Sequence, residues 1–82
     1  MIVVMFFGRV ADLAGQRRTE MPPSSAGDSL FSLRDRLLNQ ALSAGQIAPG
    51  DVHMSLNRIV RRSDEPVADG DEVAFFSVFS GG

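Results

Sequence analysis

Apolar residues in this chain occur either as short continuous runs or as one regularly spaced stripe. The two strongest runs, at residues 2–7 and 73–76, are rich in β-branched and aromatic residues, a composition that favours strands. A strand that is apolar on both faces is typical of the middle of a sheet, so we expect these two strands to lie there side by side. Weaker runs predict further strands at residues 16–21, 52–56 and 59–60.

The regularly spaced stripe predicts the main helix. Its leucines and alanines recur at intervals of three and four over residues 30–42, as on one face of an α-helix. Ser29 precedes the stripe as a helix N-cap, and Gly45 follows it as a C-terminal stop. A shorter pattern at residues 9–14, ended by Gly15, predicts a small helix after the first strand. These elements together predict an α+β fold in which a mixed sheet of about five strands packs on one main helix.

The predicted sheet has one face that the helix does not cover. Alternation along the first and last strands places Phe7 and Phe76 on that face, and Val60 of a later strand joins them there. A lone domain has no reason to expose such an apolar patch to water, so the pattern predicts a docking surface. The alternative is that a loop, at residues 24–28 or 49–51, folds over the patch.

Composition narrows the function classes. The chain has 82 residues, a net charge of −2, a mean hydropathy of +0.04 and no cysteine, which together predict one cytoplasmic globular domain without disulfides or thiol chemistry. No apolar run is long enough for a membrane helix, and the first residues lack the basic segment of a secretory signal. The charge balance argues against a nucleic-acid partner. All eight basic residues are arginines, so no side chain of this protein is a primary amine.

The polar residues offer few candidates for catalysis or metal binding. His53 is the only histidine, and alone it makes neither a metal site nor a catalytic triad, so we expect it to face solvent or a loop. Acidic residues surround Gly70, where turn chemistry is a commoner role than metal ligation; they are Asp69, Asp71 and Glu72. Three arginines could form a basic rim for an acidic partner or a solvated edge; they are Arg58, Arg61 and Arg62.

The sequence printed here ends in Ser80-Gly81-Gly82, directly after an apolar strand. Glycine loses much backbone entropy when it is ordered and packs nothing, so two terminal glycines predict a thin, flexible stalk that carries one α-carboxylate. Such a stalk could enter a channel too narrow for a Cβ atom. The other interpretation is a frayed terminus. We therefore divide the chain into a domain at residues 1–76 and a flexible tail at residues 77–82.

Motifs at both ends and in the middle of the chain resemble the small subunits of molybdopterin synthase, which are ubiquitin-like β-grasp sulfur carriers. The motifs are Phe6-Phe7-Gly8, Leu13-Ala14-Gly15, Leu56-Asn57, the segment Asp69-Gly70-Asp71-Glu72-Val73-Ala74-Phe75-Phe76, and Gly81-Gly82. The glycine pair alone would fit any ubiquitin-like protein. The opening motif and the last strand favour this family over the shorter sulfur carrier of the thiamine pathway.

The resemblance implies a function for the tail. A ubiquitin-activating-like adenylyltransferase would adenylate the Gly82 carboxylate with ATP and Mg²⁺, and a persulfide sulfur donor would convert it to a thiocarboxylate. The tail, including Gly81, Ser80 and Phe79, would then enter the large synthase subunit, where the sulfur attacks cyclic pyranopterin monophosphate. The catalytic side chains would lie on that subunit, and this chain would bind no metal or cofactor. By the same resemblance, the partners dock on Phe7, Val60 and Phe76.

One departure from the family pattern and three other functions remain to be weighed. The family usually has two prolines after the Phe-Phe pair, where this chain has Ser77-Val78, and Phe79 replaces a smaller aliphatic residue. Without the prolines, the tail should be more mobile and should lose more entropy when it is inserted. The larger Phe79 predicts a differently shaped partner channel. The other functions are a protein modifier conjugated through Gly82, a thiamine-pathway carrier, and an interaction module that is never activated.

Overall fold

The structure is a computed structural model that describes residues 1–77. Its helices are α1 (Gly8–Ala14), α2 (Leu30–Leu37) and α3 (Asn39–Ser43), with a 3₁₀ helix at Pro49–Asp51. Its strands are β1 (Ile2–Phe6), β2 (Arg18–Met21), β3 (Asp28–Ser29), β4 (His53–Leu56), β5 (Ile59–Arg61), β6 (Pro66–Val67) and β7 (Glu72–Phe76). No helix within this range is long and apolar enough to cross a membrane.

The main sheet has five strands in the order β2-β1-β7-β4-β5. β1 and β7 are parallel neighbours, and the other pairs are antiparallel, so the sheet is mixed. The prediction that the first and last strands lie side by side in the middle of the sheet is therefore confirmed. Because β1 and β7 run in the same direction, their carboxyl ends meet at the same end of the sheet.

The core lies between the sheet and the helices. One face of β1 and β7 supplies Ile2, Val4, Phe6, Val73 and Phe75, each at most 2% exposed. The rings of Phe6 and Phe75 lie 6.0 Å apart. The helices contribute the buried residues Val10, Leu30, Leu33, Leu38 and Ala41. Alternation along the strands thus separates a core face from an opposite face, as the sequence predicts.

The predicted main helix begins as expected but is not continuous. Ser29 caps α2 in a capping box, in which the Ser29 hydroxyl accepts from the Ser32 N–H and the Ser32 hydroxyl accepts from the Ser29 N–H. At Leu38 the backbone leaves the helical region (φ −111°, ψ 21°), and α3 follows as a separate segment. Leu38 and Ala41 are both buried on either side of this break. We attribute the break to this packing. The intervening Asn39 does little to oppose it, because asparagine is a weak helix former.

A second, two-stranded sheet is absent from the prediction. β3 pairs with β6, and the N–H of Leu30 donates to the carbonyl of Glu65 at 3.0 Å. The end of the predicted loop at residues 24–28 therefore contributes to this small sheet beside the start of α2. Two-residue strands are too short to produce an alternating pattern, and for that reason the sequence did not reveal them.

Candidate functional site

The candidate site is the face of the main sheet that points away from the helices, which we call the outer face. Strand register places Met5, Ala74, Ser55 and Val60 in one row across β1, β7, β4 and β5. Residues two positions along the strands share that face, and the apolar ones are Val3, Phe7 and Phe76. The outer face therefore has an apolar centre formed by residues of β1, β7 and β5, with Ser55 of β4 among them.

Exposure of the large side chains on the outer face differs sharply from that of the core face. Phe7 is 49% exposed and Val60 is 55% exposed, and Phe76 is half-buried. Ala74 and Ser55 are nearly buried because small side chains in the middle of a sheet are shielded by larger neighbours. The structure thus places Phe7, Val60 and Phe76 on one face, where alternation predicts them.

Within residues 1–77, neither of the loops considered as a cover lies over the outer face. Asp28 accepts from the Ser24 N–H at 2.7 Å and from Arg36 of α2 at 3.4 Å, which fixes the first loop on the helix side. The 3₁₀ helix that contains Pro49 borders a cavity lined also by Phe31 of α2. The second loop therefore also lies beside the helices, and the apolar centre is left open.

Charged side chains border the outer face on two sides. Arg18 and Glu20 of β2 form an ion pair at 2.6 Å, and Arg58 pairs with Glu72 at 3.6 Å near the opposite edge. Exposed ion pairs of this kind contribute little to stability. Their consequence is spatial, because they surround an apolar centre with a polar border, an arrangement typical of protein–protein interfaces.

The ends of β1 and β7 bring Phe7 and Phe76 to the same end of the outer face. The Phe7 N–H donates to the carbonyl of Phe75 at 3.0 Å, and Gly8, with a φ of +57°, then turns the chain into α1. This left-handed conformation favours glycine. β7 ends at Phe76, so residues 78–82 continue from the same end of the sheet.

His53 is a member of the outer face that the sequence analysis missed. We expected it to face solvent or a loop, but its ring is half-buried and stacks on Phe76 with 5.9 Å between centroids. The cause is the register of β4 against β7, which places His53 directly opposite Phe76. Only knowledge of strand pairing could have shown this contact.

Asp71, which follows Gly70, belongs to a network of hydrogen bonds in a turn, as the sequence predicts. The Asp71 carboxylate accepts from the Ala68 N–H at 2.8 Å and from the Asn57 amide at 3.1 Å. These hydrogen bonds, with that from Ala68 as the larger cause, lower the pKa of Asp71 below the ordinary value of an aspartate. Asn57 in turn accepts from the Glu72 N–H at 2.9 Å, which ties the β4–β5 turn to the start of β7.

The three arginines considered as a basic rim do not form one. Arg58 is 87% exposed at the border of the outer face, beside Glu72. Arg61 pairs in register with the buried residue Met54, so its side chain points to the helix side of the sheet. There Arg61 and Arg62 line a cavity with Arg34 of α2. The three arginines are therefore divided between the border of the outer face and the cavity.

The tail residues proposed for chemistry and channel entry lie outside the described residues. They are Gly82, Gly81, Ser80 and Phe79. The described chain ends at Ser77, one residue beyond β7. Across residues 1–77, no group of three or more His, Cys, Asp or Glu side chains is arranged to hold a metal ion.

Comparison with known proteins identifies relatives over the whole chain. The model of the ThiS family matches residues 4–82. The molybdopterin synthase sulfur carrier subunit of Escherichia coli (strain K12) is 34% identical over 83 residues, and the match covers all of both chains. An identity at this level over the full length is evidence of common descent with that protein.

Solved structures with the same fold include proteins from Haloferax volcanii and Trypanosoma brucei. SAMP1 from Haloferax volcanii has a TM-score of 0.74 at 23% identity, with 99% of this chain and 98% of that chain covered. Urm1 from Trypanosoma brucei has a TM-score of 0.69 at 23% identity, with 99% and 94% covered. At these identities the likeness shows the fold alone, and it confirms the predicted ubiquitin-like β-grasp arrangement of a mixed sheet on a main helix.

Proposed function

The chain belongs to the ThiS family, and on that premise we propose that it is the sulfur carrier subunit of a molybdopterin synthase. The observation that carries this proposal is the full-length match to a protein of that name. The open apolar face around Phe7 and Phe76 supports it, because a carrier must dock on other proteins to be loaded and unloaded. This function places the protein in the cytoplasm.

The proposed chemistry takes place at the carboxylate of Gly82. At neutral pH this carboxylate is ionised and is a poor electrophile, since an α-carboxyl pKa is about 3.3–3.7. Attack of the carboxylate on the α-phosphate of ATP, assisted by Mg²⁺ on an adenylyltransferase, would release pyrophosphate and form an acyl-adenylate. The terminal sulfur of a persulfide donor would then displace AMP and form an acyl disulfide. A second thiol would attack the donor's sulfur in this S–S bond, forming a disulfide with the donor and releasing the thiocarboxylate.

The thiocarboxylate is the sulfur donor in this proposal. With the carrier docked on the large synthase subunit, its sulfur attacks cyclic pyranopterin monophosphate and links the two as a thioester. Water then cleaves the bond between the Gly82 carbonyl carbon and the sulfur, which releases the carrier with its carboxylate restored, and two loaded carriers provide the two dithiolene sulfurs. The side chains that catalyse these steps belong to the partners. The contribution of this chain is to dock and to present its C-terminus to the partner.

We assign the docking role to Phe7, Val60 and Phe76. Phe7 and Val60 are large apolar side chains about half exposed, and aromatic anchors often dominate the binding energy of an interface. Phe7 and Phe76 also lie at the end of the sheet from which the chain continues to residues 78–82. A partner that covers these rings is therefore positioned to receive the tail.

Intact mass spectrometry of the protein isolated from its own cells tests the proposal. A carrier predicts a fraction of molecules heavier by the difference between one sulfur and one oxygen atom, with the change located at Gly82. Larger adducts that join Gly82 to lysines of other proteins would instead identify a protein modifier. A chain that carries neither change, from cells actively making molybdenum cofactor, would contradict activation of the tail.

A reconstituted assay separates the two sulfur-carrier functions. The chemically prepared thiocarboxylate should form product from cyclic pyranopterin monophosphate with the large synthase subunit. If it instead supplied sulfur only to the thiazole-forming reaction of the thiamine pathway, the assignment to molybdopterin synthase would be wrong.

A further inference from the structure

A basic cavity lies between α2 and the β4–β5 edge of the sheet, away from the apolar centre of the outer face. Its volume is about 360 Å³. Its lining includes three arginines, Arg34, Arg61 and Arg62, and within residues 1–77 no aspartate or glutamate lines it. In a chain with a net charge of −2, this concentration of positive charge is local and does not follow from composition.

The arginines of the cavity differ in the interaction partners of their guanidinium groups. Arg34 donates to Asp35 at 2.8 Å, and its guanidinium lies 4.4 Å from the centroid of the Phe31 ring. The Nε of Arg61 is buried and has no hydrogen-bond partner among residues 1–77. A buried N–H group without a partner is costly, and a charged one more so. A carboxylate bound to the same guanidinium group from the cavity would offset part of this cost.

The remaining lining is apolar and favours an organic anion over an inorganic one. Phe31, Val52 and Met54 line the cavity together with Pro49, so a ligand must cover carbon atoms as well as accept hydrogen bonds. Guanidinium groups bind carboxylates in bidentate geometry, and an Asp or Glu side chain brings methylene groups with its carboxylate. A bare phosphate ion would leave most of this apolar surface in water.

The cavity is continuous with the outer face through His53. This side chain lines the cavity and also stacks on Phe76 of the outer face at 5.9 Å. A protein that docks on Phe76 therefore lies next to the mouth of the cavity. Arg62, directly after β5, is placed to meet it at the same edge.

We propose that this cavity binds an acidic side chain of the protein that docks on the outer face. The Arg61 guanidinium would donate to the carboxylate from the cavity wall, and the Arg62 guanidinium would supply charge at the mouth of the cavity. The identity of the partner rests on the proposed function, whereas the preference of the cavity for a carboxylate does not. Contact with the cavity would fix the orientation of the docked partner and make docking more specific. Apolar contacts alone do this less well.

The first test uses the isolated full chain with ¹⁵N-labelled arginine, titrated with glutarate and, separately, with inorganic phosphate. We expect the Arg61 Nε–H signal to shift at lower concentrations of glutarate than of phosphate. The shift should be absent for Arg9, which is not part of the cavity and donates to the carbonyl of Gln46. A tighter response to phosphate would assign the cavity to a free phosphate ion, and no response would leave no anion site; either result overturns the proposal.

The second test measures affinity for the large synthase subunit at low and at physiological ionic strength. We expect Arg61→Gln to weaken binding about tenfold, and Arg62→Gln to slow association and flatten its salt dependence. Arg9→Gln removes the same charge outside the cavity and should leave binding unchanged. The rate of sulfur transfer at saturating large subunit should also stay at the wild-type value in Arg9→Gln.

The outcomes separate this inference from the proposed function. Equal affinity of Arg61→Gln and the wild type would overturn the acidic contact while leaving the sulfur-carrier function intact. If the wild type itself did not bind the large subunit, the proposed function would fail and so would the partner named here. The glutarate titration would still decide whether the cavity prefers carboxylates.

Discussion

A shift of one position along β1 changes a core residue into a surface residue. Phe6 is 2% exposed and Phe7 is 49% exposed, although the two side chains are chemically identical. The same parity separates Phe75, which is fully buried, from Phe76. Because adjacent strand residues point to opposite faces, each phenylalanine pair supplies one ring to the core and one to the outer face.

The two classes of phenylalanine should respond differently to truncation. We expect Phe7→Ala and Phe76→Ala to weaken binding of the large subunit by about 2 kcal/mol or more. Their effect on the free energy of unfolding should be smaller, since no sealed cavity forms on an open face. As a control, Phe75→Ala should cost about 3–5 kcal/mol of stability. Urea denaturation measures the stability of the variants, and titration calorimetry measures their binding. Severe destabilisation of the outer-face variants with intact binding would mean that the two faces of the sheet are assigned the wrong way round.

Asp71 should make stability depend on pH in the acid range. Its pKa is lowered in the folded state by hydrogen bonds from Ala68 and Asn57, so it favours folding above its unfolded pKa of about 3.9. This contribution is lost as the pH falls through the lower, folded pKa. We therefore expect the stability difference between the wild type and Asp71→Asn to be constant near neutral pH and to shrink below about pH 4.

Urea denaturation at a series of pH values measures this difference. Asp12→Asn is the matched control, because Asp12 lies on α1 and its carboxylate accepts no hydrogen bond among residues 1–77. A difference between the wild type and Asp71→Asn that grew as the pH fell would contradict the assigned role.

At the scale of elements, local patterns revealed the long elements and missed those that depend on tertiary contacts. The runs that form β1 and β7 can be recognised in the sequence, because an apolar strand of five residues gives a clear hydrophobic pattern. The pairing of β3 with β6 leaves none, since each strand contributes two residues. The break at Leu38 is equally invisible, because the leucine stripe continues across it and only packing interrupts the helix.

The capping box of α2 gives a prediction at this scale. Ser29→Ala removes the hydroxyl that accepts from the Ser32 N–H, and we expect it to lower stability by about 1 kcal/mol. Ser25→Ala is the control, since Ser25 is exposed and precedes the helix by several residues. Thermal and urea denaturation provide the comparison. Equal stability of the two variants would show that the cap contributes nothing.

At the scale of the whole molecule, the sequence predicted the outer face but not the basic cavity beside it. The face follows from strand parity and from the presence of a single helical layer, both legible along the chain. The cavity requires Arg34 of α2 to approach Arg61 of β5, which are 27 positions apart in sequence. Likewise His53 gained its place on the outer face only through the register of β4 with β7.

The whole molecule also sets the distance between the docking surface and the reacting group, and this distance gives the last prediction. We expect deletion of Gly82 to abolish sulfur transfer while leaving the fold and partner binding nearly unchanged, because Phe7 and Phe76 remain in place. If fully extended, residues 77–82 span at most about 20 Å. Deleting one residue would withdraw the carboxyl group by about 3.3 Å, and a misplacement of about 1 Å can already cost about 100-fold in rate.

Product formation from cyclic pyranopterin monophosphate measures the effect, with both proteins chemically converted to C-terminal thiocarboxylates. This conversion matters, because it bypasses the adenylyltransferase and so tests only the transfer step. Gly81→Ala is the companion variant: it keeps the length of the tail and adds one methyl group, so a loss of rate there would indicate a channel too narrow for a Cβ atom. If the shortened protein transferred sulfur at the full-length rate, the position of the terminal carboxyl group would not limit transfer. The prediction would then be wrong.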